Sequence, residues 1–470
     1  MAIAATIVHE VRTAGADTNG GGFKPGASGQ DLSIFDTAQY AVTDGVTAGT
    51  TTITSATANF DTNVVGNLVY VQGGTGSVTA GWYEITVRNS ATSITVDRST
   101  GLTAGTGVTL NIGGALLTIA QALTNMVDGN TTWVKAGTGY TITTMLNFAA
   151  TTTGALPKVL RGYGTTRGDN TKPTISTASA ITMMTMSAQT TLADFLLDGG
   201  GTATNGVVTG ANPDRGQNML RVHVTATKGA GITCSGTAFG CMVYSLHSTA
   251  TVGFVIVGTS GGGLAQFCIA RDLSCPGFSI SANLSDNSGG AFNRCIAARC
   301  TVGFSLKTAL SSSSVTNCVS VSNSSHGIDS NSGSHTAIFL WNNVIAYNSG
   351  WGITVSSGSY VNAANAGIFE DKNAFISNSS GNLQNLVAGS NDVTLTADPF
   401  TDKTNNDFSL NTTAGGGAAC RAAGYPGVWT ASTTTGYSDL GAVQHADPVV
   451  AGNIASGDEG GIFYQVSNQW

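Results

Sequence analysis

Side chains able to do acid–base or metal chemistry are few and scattered in this 470-residue chain. Charged residues make up 10% of it, and 26 acidic against 19 basic residues leave a net charge of −7. Glu370 and Asp371 are adjacent, so on a strand they point to opposite faces. Together with Asp329 they are the carboxylates that remain as candidates for an acid pair across neighbouring repeats. Asp194 and Asp198 share strand parity, but Asp198-Gly199-Gly200 is a turn signal and favours a corner. His223, His247, His326 and His335 share no spacing and read as solvated or core-edge residues. No serine-nucleophile elbow, phosphate loop or dinucleotide fingerprint stands in a supporting context. The expected catalytic assignment is therefore none beyond Asp329, Glu370 and Asp371, with no metal site and no cofactor.

Aromatic residues offer a different chemistry. Trp341, Tyr347, Trp351 and Tyr360 fall within a short stretch. Exposed rings stack on sugar faces or anchor partners, whereas buried ones would close the core or a subunit contact. These four are the candidate glycan-binding residues.

The elements that must position them follow from a repeat. Glycine followed by a large apolar residue occurs at Gly231-Ile232, Gly253-Phe254, Gly277-Phe278, Gly303-Phe304, Gly327-Ile328 and Gly352-Ile353. A second marker keeps step eight or nine residues ahead, at Cys268, Cys295, Cys318 and Asn343, each preceded by three residues by Ala265, Phe292, Val315 or Leu340. A period of roughly two dozen residues accommodates three short strands and three turns, with equivalent residues stacked about 4.8 Å apart. Phe254, Phe278 and Phe304 are then expected in one internal column. Each repeat glycine is expected to supply backbone freedom at a corner. Composition agrees: 63 glycines and little charge suit many tight turns. The eight cysteines form no Cys-x-x-Cys pair, and read as reduced, buried apolar side chains.

Parity also gives the outward face after each Gly-apolar pair: Thr233, Val255, Ser279, Ser305, Asp329 and Thr354, then Ser235, Val257, Ser281, Lys307, Asn331 and Ser356. A calcium-dependent lyase needs several carboxylates there, and a glycosidase needs a carboxyl pair. Only Lys307 and Asp329 are ionisable, which argues against catalysis on that face.

Upstream, Leu116–Val127 has helical apolar spacing and precedes Asp128-Gly129-Asn130-Thr131-Thr132-Trp133-Val134-Lys135-Ala136-Gly137-Thr138-Gly139-Tyr140. This resembles the entry of the pectin-lyase-like β-helix superfamily, in which an amphipathic helix caps the open end. Gly15-Ala16-Asp17-Thr18-Asn19-Gly20-Gly21 is similar to that family's opening strand, but stands some ninety residues early. Residues 31–112 read as alternating strands, so an inserted β module explains the gap. Asp398-Pro399-Phe400, Asn406-Asp407-Phe408-Ser409-Leu410 and Asp439-Leu440-Gly441-Ala442 resemble the closing segment of bacterial and viral β-helix repeat proteins. The expected fold is all-β: a right-handed parallel β-helix with an N-terminal capping helix and a small inserted module. The boundaries are 1–30 for the entry arm, 31–112 for the module, 113–445 for the β-helix and 446–470 for a tail suited to inter-subunit contact.

The scattered basic residues exclude a nucleic-acid binder, and no apolar run is long enough for membrane insertion. The first residues lack the basic region of a secretory signal. With reduced cysteines this implies folding in a host cytoplasm and release by lysis. The resemblance extends to phage tailspike, tail-fibre and head-decoration β-helix proteins. It implies a homotrimeric virion surface protein that meets other virion proteins and contacts host surface polysaccharide or a receptor. The alternatives are a polysaccharide depolymerase (lyase or glycosidase) with an inter-subunit site, and a capsid decoration protein.

Overall fold

The computed structural model describes residues 3–101, 103–149, 156–210, 216–258, 263–282, 289–306, 313–330, 337–355, 367–425 and 437–445. Each coil contributes one strand to each of three sheets, of twelve, eleven and ten strands, here called first, second and third in chain order and parallel throughout except for the edge strand Gly22–Phe23 of the first. The coil wound by Lys158–Tyr163, Thr174–Ser176 and Thr182–Met186 is representative. The solenoid is a right-handed parallel β-helix, the hand that parallel crossovers adopt almost without exception.

Both repeat markers fall in register. Phe254 pairs with Phe278, Phe278 with Phe304, Phe304 with Ile328 and Ile328 with Ile353. The three phenylalanine rings stack at centroid spacings of 4.8 and 5.0 Å, fully buried. Ala265, Phe292, Val315 and Leu340 form the matching inward column of the first sheet.

The glycines have a different reason from the one expected. None of the six has a positive φ. The left-handed bends fall to other residues: Arg221, Phe267, Arg294, Asn317, Asn342 and Lys372 leaving the first sheet, and Ser245, Asp272, Arg299, Ser322, Tyr347 and Ser377 leaving the second. Coil geometry thus overrides residue preference at each bend. The glycines are needed because coils approach closely. A Cβ on Gly253 would lie 2.5 Å from the Gly277 carbonyl oxygen, and one on Gly303 2.4 Å from that of Gly327.

After the first bend the ladder changes from sulfur to amide. The Cys268 and Cys295 thiols donate to the carbonyls of Ala238 and Ala265 one coil back, each at 3.3 Å. Cys318 N donates to Asn343 Oδ1, and Asn343 N and Nδ2 both donate to Asn373 Oδ1. A parallel ladder, Asn323–Asn348–Asn378, follows the second bend. All eight cysteines are buried and unbridged, and burial raises the thiol pKa of Cys234, Cys275 and Cys420 to about 12. Alkylation of the denatured, unreduced protein is expected to modify all eight; any thiol still blocked marks a disulfide.

At the entry, the two halves of the family-like motif meet across the insertion. Asp17 Oδ1 accepts from the Leu117 and Thr118 amides at the start of the helix Ile119–Asn125. Asn19 Nδ2 donates to Ala115 O. Between them, six antiparallel strands from Tyr40 to Ile112 close a small barrel with its own core around Phe60, Tyr83, Ile94 and Leu110.

The last described parallel strand is Val393–Thr394. The chain then turns back along the outside of the second sheet. Leu395, Phe400, Phe408, Leu410, Cys420 and Leu440 cover the outward Ile269, Ile296, Val319, Val344 and Ala374, forming a second core. This closing segment fixes what remains open to solvent. The tail 446–470 lies outside the described residues.

Candidate functional site: an aromatic platform on the first sheet

The outward column of the first sheet runs Glu10, Trp133, Arg161, Ala193, Leu220, Phe239, Gln266, Asn293, Thr316, Trp341 and Asp371. At its C-terminal end Phe339 and Trp341 point outward from Ile338–Trp341, and Phe369 and Asp371 do so from Ile368–Asp371. Phe339 stacks on Phe369 at 5.1 Å and lies 5.2 Å from Trp341, which meets Tyr425 edge-on at 5.6 Å. Phe369 is 55% exposed and Tyr425 37%. These rings form a contiguous, partly exposed aromatic surface, of the chemistry that can stack on sugar faces or anchor a partner.

Tyr425 comes from the closing segment and is held over the sheet. Its amide donates to Asn342 Oδ1, its hydroxyl donates to Asp371 Oδ2 at 2.6 Å, and Lys372 Nζ lies 5.2 Å from its ring centroid. Partial burial pushes the Asp371 pKa up, but hydrogen bonds from Tyr425 and Asn391 outweigh it and hold the carboxyl below its ordinary range. The same bond, with burial, raises the Tyr425 phenol to about 12. An ionised, hydrogen-bonded carboxylate of low pKa is a poor general acid or base near neutrality, but a good acceptor for sugar hydroxyls.

The remaining candidates are dispersed. Glu370 faces inward, stacked on Leu340. Its oxygens accept from Asn373 Nδ2 and Gly389 N, each at 2.8 Å, and Gly389 N also donates to Asp392 Oδ2 at 3.0 Å. Burial, then the neighbouring Asp392, pushes Glu370 up to about 8. This carboxyl pair holds the Gly389 amide, with Glu370 buried. Asp329 lies on the third sheet, paired with Ser305 and Thr354, so the acid pair with Glu370 or Asp371 does not form. Its outward column is otherwise Thr233, Val255, Ser279, Ser305 and Thr354, as parity gave it. Lys307 lies outside the described residues.

Of the four candidate rings, Trp341 alone is seen on the platform. Tyr347 sits at a second-sheet bend beneath the closing segment, with Lys403 Nζ 4.3 Å from its ring centroid, and burial raises its phenol to about 12. Trp351 starts a third-sheet strand, its ring against Gly381, and its amide donates to His326 Nδ1. Tyr360 lies outside the described residues. Phe339 and Phe369 were missed, although the sequence carried a signal: Phe339 shares parity with Trp341, and Phe369 follows one coil later. Nothing in the sequence places Tyr425 there. Among the described residues no group of three His, Cys, Asp or Glu side chains forms a metal-binding cluster, and no helix is long and apolar enough to cross a membrane.

The fold and this face define a parallel β-helix with an open aromatic strip. The chain is similar to the crystal structure of pectate lyase Pel9A, at 15% identity and a TM-score of 0.52, over 70% of this chain and 91% of that one. It also aligns with the A-module of the mannuronan C-5 epimerase AlgE4 of Azotobacter vinelandii (16% identity, TM-score 0.32, 55% of this chain and 88% of that one). A third alignment is with the catalytic domain of a GH87 alpha-1,3-glucanase (11%, 0.32, 75% and 89%). At such identities the likeness to the pectate lyase is one of fold. No protein-family model matches the sequence, and no curated protein matches it.

Proposed function

We propose that this chain is a non-catalytic, polysaccharide-contacting structural protein of a bacteriophage virion, of tailspike or tail-fibre type. In this reading it assembles as a homotrimer with other virion proteins and meets the host's surface polysaccharide. The observation that carries the glycan reading is the ring surface of Phe339, Trp341, Phe369 and Tyr425 beside the ionised Asp371. Rings supply apolar area for sugar faces, and the carboxylate accepts hydroxyl hydrogen bonds. Against turnover stands the fate of the acids: Asp371 is held ionised, Glu370 is sealed inside and Asp329 is on another sheet. Eight buried, unbridged thiols support folding in a reducing cytoplasm before release by lysis.

Calorimetric titration with host surface polysaccharide tests this reading, together with an assay for new reducing ends or unsaturated products. Binding without product is expected, with Trp341→Ala weakening it by ~1 kcal/mol or more, about fivefold in Kd. Turnover by the wild type, or binding indifferent to Trp341→Ala, contradicts it.

A further inference from the structure

A second feature lies on the same outward column, eight strand spacings from Trp341, or roughly 38 Å. The Arg161 guanidinium lies over the Trp133 indole, 5.4 Å from its centroid, and Tyr163 meets that indole edge-on at 6.0 Å. Arg161 Nε donates to Asp194 Oδ2 at 3.2 Å. The same fully buried carboxylate is already held by Arg221 through two bonds, Nε to Oδ1 at 2.6 Å and Nη2 to Oδ2 at 2.9 Å. Arg221 Nη2 also donates to Asn170 Oδ1. Among the described residues only Nε of Arg161 is engaged, and its side chain remains 33% exposed.

Arg161 and Arg221 share the carboxylate of Asp194, whose charge also acts on Lys172, while Glu10, next to Trp133 in the column, is fully buried and already held by Arg12 and Arg167. Burial lowers the Lys172 pKa, against the pull of Asp194 and with a smaller contribution from Arg221. Farther along the same edge, burial followed by Lys172 and Arg271 pushes His223 down to about 4. In both cases burial is the larger cause and Asp194 opposes the shift. Between this patch and Trp341 the outward column carries only Ala193, Leu220, Phe239, Gln266, Asn293 and Thr316, a track without charge.

We infer that Trp133 and Arg161, backed by Arg221 and Lys172, form a subsite for an anionic group, carboxylate or sulfate, of a polysaccharide laid along the first sheet. The indole takes the sugar face, while the free end of the guanidinium fork takes the anion in bidentate geometry. This rests on the polysaccharide reading above and names its charge class. It places recognition of charge and recognition of ring faces at opposite ends of one track.

Affinity electrophoresis of the full chain tests it, in gels holding dextran sulfate, polygalacturonate or uncharged dextran. Retardation is expected in at least one anionic gel and not in dextran, falling as salt is raised. Arg161→Gln should weaken it at least fivefold and Arg161→Lys should restore it in part. Arg88→Gln on the barrel should leave it unchanged. Retardation by dextran alone, lost in Trp341→Ala but not in Arg161→Gln, overturns the anionic subsite and leaves the polysaccharide reading standing. No retardation in any gel overturns both. Thermal stabilisation by inorganic sulfate that Arg161→Gln abolishes, without polysaccharide binding, reduces the patch to an adventitious ion site and overturns the inference.

Discussion

Replacing Phe304 by alanine is expected to destabilise the protein by about 3–5 kcal/mol, the usual cost of emptying a fully buried phenylalanine site. Phe304 stacks on Phe278, contacts Phe292 at 5.5 Å and is followed in its column by Ile328. The coils around it cannot collapse to fill the space, because strands above and below are fixed in register by backbone hydrogen bonds. Chemical denaturation checks this, and hydrogen exchange shows where the loss falls. In a solenoid each coil depends on its neighbours, so protection should drop first in strands adjoining Ser279 and Ile328. A loss below about 1 kcal/mol means the column is not the core of the fold.

The second large effect depends on pH. An unfolded Glu370 releases its proton near its ordinary 4.5, whereas the folded chain holds it until about 8. Folding therefore takes up a proton between these values, and stability falls as pH rises through that window, levelling above it. Asp392, raised by burial in spite of its hydrogen bonds with Glu370, Asn373 and Gly389, adds in the same direction. Asp371 lies close by, is already ionised and opposes a second negative charge. Glu370→Gln keeps the shape of the clamp on Gly389 and removes the titration. It is expected to flatten the decline between pH 4.5 and 8 and to be the more stable form at pH 8, by about 2 kcal/mol or more. At the other end of the molecule His9, wholly buried and pushed down to about 4, acts oppositely. Its contribution is lost as pH falls from 6.5 toward 4, and the Glu370→Gln protein should retain that acid limb. Denaturation midpoints across pH 4–9 give the result; parallel curves for the two proteins reject the buried-pair account.

How much of this was legible in the sequence depended on whether a feature repeats. The Phe254–Phe278–Phe304 column, the cysteine ladder and the outward residues of the third sheet were readable because one coil predicts the next. The role of the repeat glycines was misread because spacing marks a constrained position without telling a corner from a close approach. Left-handed bends at Arg221, Phe267 and Lys372 had no signal, since coil geometry imposes them on whatever residue falls there. The ion-pair centre at Asp194 was hidden for another reason. Arg161 and Arg221 lie 33 and 27 residues away, and only stacking brings them to one carboxylate. Tyr425 reaches Trp341 through a segment that leaves the repeat altogether, so no periodicity could announce it.

The measurement that bears most directly on the central claim is hydroxyl-radical footprinting of the protein with and without host surface polysaccharide. Polysaccharide should protect Trp341, Phe369 and Tyr425 from oxidation, leave Trp351 unchanged, and release no new reducing ends during labelling. Protection confined to Trp351 and the third sheet, with Trp341 and Phe369 still oxidised at the free rate, would contradict the claim that the first-sheet platform is the contact surface.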